Sequence, residues 1–180
     1  MNMAEPFPSL LLKHPLARNL PFLLIGGHAV IALGFIRATY DFDLLVPEND
    51  RSRWQDLLQE LGYALFAQNG PFMQWTAPQG LPAVDVMVVD PVTFSKLQST
   101  SRQVVVAGQI LTIPSPENLV ALKLHATRQR HHLPAVQKDW EDIVQIIQRH
   151  GLDLEDASFR ALVLRYGGPD APAALTARLT

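Results

Sequence analysis

The sequence predicts an α+β domain in which a small mixed sheet carries the functional residues and helices flank it. Three observations point there. Short apolar runs stop at glycine or proline, as strands do. Other stretches repeat their apolar residues at three- and four-residue spacing, as helices do. The two kinds follow one another without internal repeat. The 180 residues fit the roughly 100–200 expected of one domain. With 48% hydrophobic and 18% charged residues the chain can bury a core and is not disordered by composition. The expected organisation is a single domain over 1–166, with its core motifs at about 20–150, and a flexible C-terminal tail over 167–180.

Along the chain, the prolines around Leu10-Leu11-Leu12 leave room for a short helix at most. Pro21-Phe22-Leu23-Leu24-Ile25 is wholly apolar and stops at Gly26-Gly27, as a strand buried on both faces would. Ala29 to Phe35 reads as a buried helix, and Asp41 to Val46 as a second strand closed by Pro47. Asp50 is placed to cap a helix that runs through Trp54, Leu57, Leu58 and Leu61 to Gly62. Phe72 to Thr76 and Ala83 to Val89 read as a hairpin across Pro78-Gln79-Gly80-Leu81-Pro82. Val104-Val105-Val106 and Ile110 to Ile113 make a second hairpin around Gly108. Ser115 as N-cap and Pro116 at the first helical position open a helix to about Arg130. Pro134 starts the next, in which Val136, Trp140, Ile143 and Ile147 form an apolar seam. Asp153 is the expected cap of a last helix to about Arg165, and the segment after Tyr166 reads as a loosely held tail.

Charge and composition exclude several function classes. Fifteen Lys+Arg against seventeen Asp+Glu leave a net charge of -2, so no blanket basic field coats nucleic acid. The absence of cysteine excludes disulfides, thiolate zinc sites and cysteine nucleophiles, and fits a reducing cytoplasm. The longest nearly apolar stretch, Phe22 to Ile36, has fifteen residues and is broken by Gly26-Gly27-His28. It falls short of the roughly 18 that a spanning helix needs, so no membrane partner is expected.

Asp41 and Asp43 are two apart in a strand, which sets both carboxylates on one face and Phe42 on the other. Such a pair repels itself, and oxygen-only ligation suits Mg²⁺ or Mn²⁺; its plainer meaning is an exposed strand end. Asp85 interrupts the apolar run Val84 to Val89, where a carboxylate needs a salt bridge or a metal. Facing the first two, it would complete a two-metal cage and could take the proton of an attacking hydroxyl. Gly26-Gly27, between strand and helix, lets backbone approach an anion such as phosphate, or simply makes a tight corner. It is neither a P-loop nor a dinucleotide fingerprint. From Asn118 to Lys138 there is no acid, while Lys123, Arg128, Arg130 and Lys138 interleave with His125, His131 and His132. Lys123 and Arg130 share a helix face that suits phosphates or a nucleic-acid backbone, or plain solvation. His131-His132 reads as a turn rather than a metal site.

Gly26-Gly27, thirteen intervening residues, Asp41-Phe42-Asp43 and then Asp85 on a later strand together resemble the signature of the DNA polymerase beta-like nucleotidyltransferase superfamily. More narrowly, Gly26-Gly27-His28-Ala29 with Gly34, Arg37, Thr39 and Asp41-Phe42-Asp43, followed by Pro116-Glu117-Asn118-Leu119 to Lys123 and a downstream Asp, is similar to the AbiEii-type nucleotidyltransferases. That group includes toxins of toxin–antitoxin systems, and the resemblance covers about residues 20 to 150. It implies a mixed sheet of the polymerase beta-like type, Asp41 and Asp43 binding two Mg²⁺ or Mn²⁺, and Asp85 completing the site and assisting deprotonation. Gly26 and Gly27 would cradle an NTP, with Arg37, Thr39, Lys123 and Arg130 as further nucleotide-binding positions. Lys123 matches the basic residue that meets the phosphates, and the downstream acid is Asp139 or Asp142. Gly27 stands where many members carry serine, which removes one hydroxyl contact. The implied reaction is metal-dependent transfer of a nucleoside monophosphate from NTP to a hydroxyl of an RNA such as tRNA, a protein or a small molecule. The implied setting is a cytoplasmic toxin with an antitoxin protein as partner. The alternative is a catalytically degenerate member that binds nucleotide or a partner without turnover. A phosphohydrolase fits less well, because Leu45 stands where its motif wants a hydroxyl.

Overall fold

The computed structural model describes residues 9–14, 17–129 and 135–179. Their contacts group into two compact units, 1–32 with 37–113 and 33–36 with 114–180, inside the span expected as one domain.

In the first unit, α1 (Ser9–Lys13) precedes β1 (Leu23–Leu24), α2 (Gly26–Ala32), β2 (Phe42–Pro47) and α3 (Arg51–Glu60). Next come β3 (Ala64–Asn69), β4 (Phe72–Thr76), β5 (Val84–Val89), α4 (Pro91–Ser99), β6 (Arg102–Val106) and β7 (Gln109–Ile113). Among the described residues the strands form a five-stranded sheet in the order β1-β2-β5-β4-β3 and a separate β6-β7 hairpin. β2 and β5 run parallel and the other neighbours antiparallel, so the sheet is mixed, as expected. The hairpin closes through Ala107 (φ 49) and Gly108 (φ 75), the left-handed pair that a type I′ turn requires.

One face of the sheet is apolar across β2, β5 and β4. Phe42, Leu44, Val84, Val86, Met73 and Trp75 are buried there, and Trp54, Leu57 and Leu58 of α3 are buried in the same unit. Burying a side chain such as Phe42 or Leu57 contributes about 1.5–3 kcal/mol. The opposite face is only partly covered. β5 alternates buried and half-buried positions, and Asp85 lies on the half-covered face. α3 starts at the expected place, yet the Asp50 side chain does not cap it. Asp50 is the last residue of a 3-10 turn, and its carboxylate accepts a hydrogen bond from Arg53 Nη1 at 2.7 Å instead.

The second unit contains α5 (Pro116–Gln129), α6 (Ala135–His150), α7 (Ala157–Gly167) and α8 (Ala171–Leu179). Ser115 Oγ accepts from the Asn118 N–H at 3.3 Å, the expected cap of α5. The α6 seam is buried at Ile143, Ile146 and Ile147, while Trp140 is half-buried under the Arg178 guanidinium, 4.5 Å from its ring centre. The cap of α7 is Asp156, whose Oδ1 accepts from the Phe159 N–H at 2.8 Å; Asp153 instead accepts from the Glu155 N–H in the preceding turn. In place of a loose tail, the alanine-rich end forms α8, with Ala171 and Leu175 buried. Gly168 (φ +88) ends α7, and Pro172, whose missing N–H costs nothing in a first helical turn, lets the helix restart. No helix among the described residues is long and apolar enough to cross a membrane.

Candidate active site

The site grows from the corner between β1 and α2. The Ile25 N–H donates to the Asp43 carbonyl at 3.0 Å, so the chain enters Gly26-Gly27 beside the first residues of β2. Gly26 takes φ +62, a conformation that disfavours any side chain, and a Cβ there would collide with the Asp43 carboxylate. A Cβ on Gly27 would collide with the Thr39 hydroxyl and lie 3.2 Å from Arg37 Nη2. The glycines thus clear space that a carboxylate, a hydroxyl and a guanidinium fill. Gly26, Gly27, Arg37, Thr39 and Asp43 lie together at this corner.

The sheet aligns the acids. Asp43 of β2 and Asp85 of β5 are register partners on parallel neighbours, so their side chains share a face about 4.8 Å apart along the hydrogen-bonding direction. Gln74 of β4 is the register partner of Asp85 on its other side, and its Nε2 donates to Asp85 Oδ2 at 3.4 Å. The donor chemistry of Asp43 and Asp85, oxygen only and paired, fits a hard divalent cation. Asp41 does not complete a cage with them: among the described residues no group of three His, Cys, Asp or Glu could hold a metal ion. Asp41 is exposed and precedes the first paired residue of β2, so strand alternation does not fix its direction. Phe42, between the two aspartates, is fully buried, as expected.

His28, quoted in the motif but given no role by sequence, sits with its ring 5.8 Å from that of Phe42. Burial pushes its pKa below the ordinary 6.5, and the Arg37 charge adds to this, while Asp41 partly offsets it. His28 follows Gly27 directly, and the Arg37 guanidinium lies beside that same glycine. The signal in the sequence was position alone, one residue after the glycine pair.

The second unit holds a different constellation. Lys123 of α5 is 8% exposed, and its ammonium lies 2.8 Å from Asp139 Oδ1 and 2.6 Å from Asp142 Oδ2 of α6. Asp142 is 1% exposed. Both acids that the sequence left as alternatives therefore meet the same lysine. The resemblance gives Lys123 to a nucleotide's phosphates; here two carboxylates hold its ammonium inside the unit, because burial demands a partner for each charge. Arg130, His131 and His132 lie outside the described residues.

Comparison with solved structures gives the same fold. The chain is similar to the antibiotic-resistance factor ANT(2'')-Ia, at 18% identity and a TM-score of 0.65 over 94% of this chain and 88% of that one. It is similar to a nucleotidyltransferase-like protein of Paracoccidioides brasiliensis, at 22% identity and a TM-score of 0.53 over 94% and 90%. It is also similar to the lincosamide antibiotic adenylyltransferase LnuA, at 15% identity and a TM-score of 0.58 over 81% and 98%. No curated protein matches the chain. The family model described as nucleotidyl transferase AbiEii toxin, type IV toxin–antitoxin system, matches residues 11–179, so the chain belongs to the AbiEii family of nucleotidyltransferase enzymes.

Proposed function

We propose that this enzyme transfers a nucleoside monophosphate from an NTP to a hydroxyl, with Asp43 and Asp85 at the reacting centre. The observation that carries the reading is the in-register Asp43–Asp85 pair beside a corner that only glycine can occupy. Gly26 and Gly27 let the triphosphate approach backbone closely, and Arg37 and Thr39 offer it a guanidinium and a hydroxyl. Asp41 does not stand with Asp43 and Asp85 in a cage, so we assign it as a third carboxylate that turns toward them when the cation binds. Asp41, Asp43 and Asp85 would hold Mg²⁺ or Mn²⁺, which supplies charge neutralisation on the phosphates. Asp85 accepts the proton of the attacking hydroxyl. The acceptor oxygen then bonds to the α-phosphorus, the bond from that phosphorus to the α–β bridging oxygen breaks, and pyrophosphate departs in line.

Lys123 could reach a phosphate only by leaving Asp139 and Asp142, so we assign it to neutralising those acids rather than to the nucleotide. Arg130 keeps the nucleotide-binding assignment that the resemblance implies. The similar structures include ANT(2")-Ia with adenylyl-2"-tobramycin and LnuA with lincomycin, so a small hydroxyl-bearing molecule is one acceptor class. The family's toxin description favours an acceptor made by the cell itself, and RNA, including tRNA, is the class we place first.

The test offers each α-labelled NTP, with Mg²⁺ and then with EDTA, to whole-cell RNA, whole-cell protein and hydroxyl-bearing antibiotics. Label in RNA that disappears in EDTA is the expected result. Nucleotide binding without label in any fraction would instead favour a degenerate, non-catalytic member. The toxin role predicts growth arrest on induced expression, relieved by Asp43→Asn and by a cognate antitoxin.

A further inference from the structure

We infer that Gln74 is a positioning residue for Asp85: its amide holds the carboxylate in the orientation that a divalent cation and an attacking hydroxyl require. This rests on the functional reading above. Three observations carry it. Asp43, Asp85 and Gln74 are successive register partners on β2, β5 and β4, and so form one row across the half-covered face of the sheet. The Gln74 amide nitrogen donates to Asp85 Oδ2 at 3.4 Å. Gln74 also has no packing task, since it is exposed while its neighbours Met73 and Trp75 carry the buried face of β4.

The residue type is informative. A lysine at this position would neutralise Asp85 and compete with any cation, and a glutamate would repel it. A neutral amide fixes one carboxylate oxygen by hydrogen bonding and leaves the charge available. The next residue in the row, the register partner of Gln74 on β3, is Ala67, which has no side-chain acceptor to draw the amide the other way. Partners of this kind set the orientation of a ligating carboxylate, and their loss typically costs about 10–100-fold in metal affinity or activity.

The experiment compares wild type, Gln74→Leu, Gln74→Asn and Asp85→Asn in the full chain. Mn²⁺ binding is followed by electron paramagnetic resonance with a nonhydrolysable NTP, alongside kcat and KM for transfer and the thermal midpoint. Gln74→Leu should weaken Mn²⁺ binding and lower kcat by about tenfold or more, with KM for NTP changed by about twofold or less and the midpoint unchanged. Gln74→Asn, with the amide one methylene short, should fall between the two. A Gln74→Leu chain that binds Mn²⁺ and turns over like wild type, while Asp85→Asn fails, would overturn the role of Gln74 and leave the functional reading standing. A wild-type chain that binds no Mn²⁺ with nucleotide would overturn both.

Discussion

The two units treat their acidic residues in opposite ways. In the second unit Asp139 and Asp142 are turned inward onto Lys123, with Asp142 almost wholly buried. In the first unit Asp43 and Asp85 stand in register on the half-covered face of a sheet whose other face is solid core. A buried carboxylate must be matched from within the protein, because desolvation otherwise dominates. A carboxylate on a half-exposed strand keeps part of its hydration, so a ligand can still reach it. The contrast is between acids that face an internal lysine and acids set in register on a half-covered face, which are the ones we propose for chemistry; both sets belong to the family resemblance.

The largest effect should come from breaking the internal match. Lys123→Ala leaves two carboxylates in the interior of the second unit without their cation, a change that typically costs about 3–5 kcal/mol. Urea unfolding should show it, and adding Asp139→Asn with Asp142→Asn should restore much of the loss. A Lys123→Ala chain of normal stability that fails only in nucleotide binding would erase the contrast and return Lys123 to the phosphates.

Gly26→Ala probes the other side. The substitution forces an alanine to φ +62 and into the Asp43 carboxylate, so Asp43 must move. The backbone conformation alone costs about 1–2 kcal/mol. Transfer should fall more steeply than stability does, whereas a purely structural corner would lose both in proportion.

The smallest effect is the pH dependence of His28. Its pKa is held below 6.5, by burial first and Arg37 second, so the unfolded chain takes up a proton more readily than the folded one. The stabilisation is therefore fully present above pH 6.5 and is lost as the pH falls through the folded-state pKa. His28→Gln should flatten that part of the curve of urea midpoint against pH; an unchanged slope would show that His28 titrates alike in both states.

Much of this site was legible because its signals are local. Glycines at a strand end, alternation around Phe42 and a lone acid in an apolar run each occupy a few adjacent residues. The elements that escaped lacked such signals. β3 is exposed along its whole length at the sheet edge, so it shows no alternation of buried and exposed positions. α4 buries only Phe94, leaving no periodicity, although Asp90-Pro91 carries the same capping chemistry that revealed Ser115-Pro116: Asp90 accepts from the Val92 and Thr93 N–H groups at 3.0 and 2.9 Å. The destination of Lys123 was hidden because its partners sit on the following helix, across residues whose path the sequence does not specify. Asp153 and Asp156 both satisfy turn chemistry, so the true cap of α7 was ambiguous by residue type. Gln74 drew no notice because a lone glutamine in a strand has no motif; only register with Asp85 gives it meaning.

The central claim is that the Asp43–Asp85 row performs chemistry and does not hold the fold. Asp43→Asn, assayed for label transfer from NTP and for urea unfolding in the same preparation, tests it most directly. Transfer should fall by about a thousandfold or more, from the loss of transition-state charge stabilisation, with an unfolding midpoint no lower than wild type. Near-normal transfer, or a midpoint that falls as far as that of Lys123→Ala, would contradict it.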